Sequence, residues 1–166
     1  MRSDSVRSKI VTILLPAVIA MLMAGAAHAQ GPLAGVKTVQ VEPTVVANQK
    51  KVKEAQGPNQ VADSLRIALR NANFEVGDAP VRAHIVLDEF TSGNQAERTL
   101  IGFGAGRSTI DCRLVIQDAQ GKELINAKIR VHGNLVFSPY QGGNTQRRQA
   151  MNSFEQRLLE EIEKLK

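Results

Sequence analysis

The stretch Thr109 to Val131, TIDCRLVIQDAQGKELINAKIRV, alternates twice. In its first half Ile110, Cys112, Leu114 and Ile116 fall between Thr109, Asp111, Arg113 and Gln117, the two-residue period of a strand with one face against a core. Ile125, Ala127, Ile129 and Val131 repeat that period in the second half. Between them Asp118-Ala119-Gln120-Gly121 is short and carries the residues a tight turn demands, so the two strands are predicted to be antiparallel neighbours in a hairpin. Cys112 falls on the apolar side. It is the single cysteine of the chain, which excludes an intramolecular disulfide and makes it a small buried hydrophobe rather than a nucleophile.

Working outward, Val81, Ala83, Ile85 and Leu87 alternate in the same way and predict a further strand ending near Phe90. Val36 to Val46 predicts the first strand, with Val39 and Val41 facing one way and Thr38, Gln40 and Glu42 the other. Pro43 has no N–H to give a ladder, which argues for an edge position or an early strand end. Ala47 to Gln60 is polar and basic and reads as an exposed connection, with Asn59 as a plausible helix N-cap.

From Val61 the spacing turns helical: Val61, Leu65, Ala68, Leu69 and Ala72 make one stripe, with Asp63, Arg66 and Arg70 outside it. Phe74 to Gly77 is a short strand and Asp78-Ala79-Pro80 a turn. After a turn-rich segment from Ser138 to Gly143, a final helix carries Met151, Phe154, Leu158, Ile162 and Leu165 on its apolar side, with Glu160 and Lys164 as an outer i to i+4 pair. The expected fold class is therefore α+β: two layers, a mixed and mostly antiparallel sheet with helices packed on one face. No internal repeat, low-complexity tract or heptad pattern interrupts it.

The 166-residue chain opens with Arg2, Arg7 and Lys9 followed by an apolar run from Ile10 to Ala24, and Ala27 and Ala29 supply the small residues of a cleavage site. Residues 1–29 are expected to be a cleaved secretory signal peptide and residues 30–166 a single α+β domain, with Gln30 as the mature N-terminus in the periplasm. The run is broken by Pro16 and is shorter than the roughly 20 residues a membrane span needs, so no stable membrane anchor is expected. The signal contributes three of the basic residues and one acidic residue, which lowers the net charge of +5 to +3 in the mature chain. Its basic residues form only short clusters, Lys50, Lys51 and Lys53 in one and Arg147 with Arg148 in the other, without interleaved aromatics, so nucleic acid is not an expected partner.

Thr99 to Ser108, TLIGFGAGRS, is the one segment with the look of a motif. Its glycines run G-x-G-x-G ahead of a strand, not G-x-G-x-x-G between a strand and a helix, and no Gly-Lys-Ser or Gly-Lys-Thr follows, so neither a dinucleotide fingerprint nor a Walker loop is present. The glycines suit a bulged or twisted start to the next strand. Two functional readings accompany that one. Arg98 and Arg107 flank a backbone that would suit a small anion, and Leu100, Ile101 and Phe103 among Gly102, Gly104 and Gly106 would suit an apolar contact with a protein partner.

At Arg98 and Gly102 to Ser108, followed by a strand and the Asp118-x-x-Gly121 turn, the sequence resembles a family of small secreted bacterial proteins, domain of unknown function 4410. The resemblance covers most of the mature chain in element order. It implies a fold and no activity, and it carries over no catalytic residue. Many members look like lipoproteins, whereas this chain has Gln30, not a cysteine to be acylated, directly after the expected cleavage site. The element order is also similar to that of the periplasmic domains of envelope assembly proteins.

Catalysis finds little support in the residues. His28 belongs to the signal, and His84 and His132 each fall on the polar side of a strand, where only proximity to Asp88 or Asp111 would make an acid/base pair or a metal site. No H-x-x-x-H or C-x-x-C spacing occurs. The sequence-level expectation is a non-enzymatic periplasmic protein without cofactor or metal. It binds an envelope protein or itself through a loop of Arg98, Leu100, Ile101, Gly102, Phe103, Gly104, Gly106 and Arg107, and the alternative is a small-molecule or anion-binding protein using the same glycines.

Overall fold

The computed structural model describes residues 31–91, 108–133 and 143–166, all within one compact unit, Gly31–Lys166. Their elements are β1 (Thr38–Val41), β2 (Val45–Val46), α1 (Gly57–Asn71), β3 (Glu75–Val76), β4 (Arg82–Thr91), β5 (Thr109–Gln117), β6 (Glu123–His132) and α2 (Gly143–Glu163). The strands form one mixed sheet in the order β3-β1-β4-β5-β6, with β2 beside β4 next to β1. β4, β5 and β6 are antiparallel, while β1 runs parallel to β3 and β4, and β2 parallel to β4. Both helices pack on one face, so the architecture is α+β in two layers as the alternation predicts.

The hairpin between β5 and β6 shows why local chemistry decides the topology. Asp118 Oδ1 accepts hydrogen bonds from the Gln120 and Lys122 N–H groups at 2.9 Å each. Gly121 N–H bonds the Asp118 carbonyl at 3.0 Å and takes φ +79°, a left-handed conformation in which a side chain is strained. Across the hairpin Ile110, Cys112, Leu114 and Ile116 all point at the helices and are buried.

Helix α1 begins at Gly57 with Pro58 in its first turn, where a missing N–H costs nothing. Asn59 is thus inside the helix rather than capping it, and Gln56 holds the cap position without a side-chain bond. The far end closes on Asn73, whose φ of 63° lets Phe74 N–H reach the Leu69 carbonyl (2.9 Å) and Asn73 N–H the Arg70 carbonyl (2.9 Å). This left-handed close is one asparagine tolerates better than most residues. Val61, Leu65, Ala68, Leu69 and Ala72 are all buried against the sheet. On α2, Ala150, Phe154, Leu158 and Ile162 meet them, and Leu165 is buried just past the helix end. Lys164 pairs with Glu161 at 2.6 Å, three residues away, and not with Glu160, which Arg157 holds at 2.9 Å.

Two stretches differ from the sequence expectation. Pro43 ends the first strand early at Val41, yet β1 is an inner strand, because β3 pairs on its far side. Ala47 to Gln60 is not a free connection: Ala47 N–H bonds Leu87 O, Phe90 N–H bonds Lys51 O and Lys53 N–H bonds Phe90 O, so the chain runs along β4 before α1 starts. A pairing to a strand some forty residues away leaves no trace in local composition.

Candidate functional site

The eight loop residues singled out by sequence, Arg98, Leu100, Ile101, Gly102, Phe103, Gly104, Gly106 and Arg107, lie outside the described residues, and so do Met1 to Gln30. What the described residues fix is where the loop is anchored. Thr91 and Thr109 are register partners, so residues 92–107 leave and rejoin the sheet at one point. At the same end α1 begins, with Gly57 under the Phe90 ring, and β6 finishes, with Gly133 N–H bonded to Ser108 O at 2.8 Å. Arg147 near the start of α2 reaches Glu54 at 3.0 Å, which brings the second helix start there too.

The face of the sheet turned away from both helices is the other feature with chemical content. It carries Arg82, His84, Val86, Asp88 and Glu89 from β4, Asp111, Arg113 and Val115 from β5, and Asn126, Lys128, Arg130 and His132 from β6. Its acidity at one end comes from a bulge: the register shifts between Leu87 and Glu89, so Leu87 and Phe90 both point inward while the two acids between them point out. Simple alternation would have put Phe90 on the polar face.

Asp111 is the best-held charge on that face. Its carboxylate is nearly buried, Oδ2 accepts from Arg130 Nε at 2.8 Å and from Nη2, and Oδ1 is 3.9 Å from Lys128 Nζ. The contact holds the Arg130 guanidinium more firmly in its charged form. Around it Glu89 lies 3.6 Å from Lys51 and Asp88 lies 3.7 Å from Arg113. Val115 is the unexpected member, buried although it sits on the polar side between His84 and Asn126.

The structure does not bring the two histidines together with an aspartate. His84 Nδ1 sits 3.6 Å from Glu42, while His132 Nδ1 is 3.2 Å from Thr109 Oγ1, with two rows of side chains between them. Among the described residues no group of His, Cys, Asp and Glu is arranged to hold a metal ion, and no helix is long and apolar enough to cross a membrane.

Cys112 is fully buried on the inner face, and burial, reinforced by the negative charges of Asp111 and Asp88, pushes its thiol up to about 12. A thiol so far from its thiolate reacts slowly. Labelling with a thiol reagent at neutral pH should be slow in the folded protein and fast after denaturation; equal rates would show that the strand is not phased as described.

These features define a small two-layer α+β domain with one helix-covered face and one polar face. Residues 34–136 match the family described as domain of unknown function (DUF4410), and the chain belongs to it. Among curated proteins none matches. In structure the chain is similar to the PelC dodecamer from Paraburkholderia phytofirmans, with a TM-score of 0.55 at 13% identity, covering 78% of this chain and 92% of that one. A variant PelC dodecamer gives 0.54 at 12% identity over 82% and 92%. A minor lipoprotein from Acinetobacter baumannii aligns at 0.41 and 13% identity over 76% and 92%.

Proposed function

We propose that this protein is a non-enzymatic component of the bacterial cell envelope, exported to the periplasm, that works by assembling with copies of itself or with another envelope protein. The observation that carries the reading is the fold it shares with PelC, which forms dodecamers, along most of both chains. The chemistry of the described residues agrees with it. The charges of the polar face neutralise one another, and the single thiol is buried. The segment from Arg98 to Arg107 is the proposed contact region, because its sequence sets the apolar Leu100, Ile101 and Phe103 among the glycines Gly102, Gly104 and Gly106.

The test is the mass of residues 30–166 in solution, by size exclusion with light scattering over a wide concentration range. A discrete, concentration-dependent oligomer is expected, and Phe103→Ser should lower its mass without changing the melting temperature. A monomer at every concentration, with no envelope protein recovered by crosslinking in cells, would overturn the reading. A melting temperature that instead climbs with added phosphate would favour the anion-binding alternative.

A further inference from the structure

We propose that the polar face of the sheet is an interface between two copies of this chain, laid face to face about a two-fold axis running along β5. The inference rests on the self-association reading above and names a surface for it. Its basis is the charge order on the two strands flanking β5. Along β4 the outward charges run Arg82, then Asp88 and Glu89; along β6 they run Glu123, which a register shift before Ile125 sets opposite Gln117 and beside Asn126, then Lys128 and Arg130. Arg82 and Glu123 share the row of Gln117, and Glu89 and Arg130 share the row of Asp111. The sequence of signs on one flank is the inverse of that on the other.

A half-turn about an axis along β5 keeps the strand direction and exchanges left for right, so β4 of one copy lies over β6 of the other. Arg82 then meets Glu123, His84 meets Asn126 and Glu89 meets Arg130 in register, while Lys128, in the row of Val86, faces Asp88 in the bulge one row along; each contact occurs twice by symmetry. Aligned sheets pack in this manner with strands crossing at about 30°. The strand on the axis must tolerate its own copy. Val115 is uncharged, and the charges beside it carry little excess, since Arg113 is held by Asp88, and Asp111 by Arg130 and Lys128. Among the described residues no element packs on this face, and Arg82, Lys128 and Arg130 keep more than half of their side-chain surface exposed.

The alternative homotypic contact, β6 edge against β6 edge, brings Lys128 and Arg130 of two copies together and is repelled. A two-fold contact by itself stops at a dimer, so any larger closed assembly needs a second surface as well.

Charge reversal in halves tests this. One variant carries Arg82→Glu with Asp88→Lys and the other Glu123→Lys with Lys128→Glu; each is checked for its fold by circular dichroism and melting. Alone, each should assemble to a smaller mass than the parent, because like charges meet at both symmetric contacts. Mixed one to one they should recover the parent mass, since every reversed row then faces a reversed row. Should a double variant not fold, Arg82→Glu and Glu123→Lys are used singly; both positions are exposed and their ion pair or hydrogen bond is a weak surface one. If the parent assembles and the reversed variants assemble equally well, alone or mixed, this face is not the interface although self-association stands. A parent that is monomeric throughout removes both.

Discussion

Phe90→Ala is expected to destabilise the domain by about 3–5 kcal/mol, the cost of removing a buried aromatic ring from a core that can only partly close over the gap. The size of the effect depends on the bulge. Phe90 is 1% exposed because the shift between Leu87 and Glu89 turns it inward, and the same substitution on the outer face would cost little. The ring also sets the position of α1: a Cβ built on Gly57 would stand 2.8 Å from Phe90 Cδ1, so glycine is what allows the helix to start beneath the ring. Gly57→Ala should therefore be destabilising in the parent and milder in the Phe90→Ala background, where the methyl occupies part of the vacated space. Chemical denaturation of the four proteins measures that coupling. A loss below about 1 kcal/mol for Phe90→Ala would mean that the bulge is absent and that Asp88 and Glu89 do not share a face.

The bulge marks the boundary of what local pattern reveals. The β5–β6 hairpin was legible because its strands alternate cleanly and Asp118 and Gly121 are the residues its turn requires. The helix stripes were legible because Val61 to Ala72 and Phe154 to Ile162 recur at helical spacing. The pairing of Lys51 and Lys53 with Phe90 was not, since it joins segments far apart in sequence. Neither was the burial of Val115, a consequence of its cross-strand neighbours. The same holds for the polar face. Arg82 and Glu123 become related only once β5 fixes the register of both flanking strands, and no spacing along the chain encodes that. The glycine-rich segment proposed from sequence lies outside the described residues; Thr91 and Ser108, between which it runs in the chain, stand at the end of the sheet where α1 begins.

A second large effect is expected where the two ends of the domain meet. Gly31 N–H bonds the Lys166 carbonyl at 3.2 Å and Leu33 N–H bonds the Leu165 carbonyl at 2.9 Å, with Leu33 and Leu165 both buried beneath. A Cβ on Gly31 would overlap the Leu165 carbonyl and stand 2.8 Å from the Lys166 carbonyl carbon. That neighbour is backbone and cannot swing aside as a side-chain tip could. Gly31→Val should therefore undock the segment. It forfeits two hydrogen bonds, each worth about 0.5–1.5 kcal/mol net, and the burial of Leu33, worth about 1.5–3 kcal/mol. The melting temperature should fall by roughly 10 °C, and the Leu33 amide should lose its protection from hydrogen exchange while the β5 amides keep theirs. Leu33→Ala separates the terms, because it removes the burial and leaves the backbone bonds. The contact begins one residue after Gln30, the N-terminus expected from sequence for the exported chain. An unchanged melting temperature and a Leu33 amide still protected in Gly31→Val would show that the two ends are not held together by this contact.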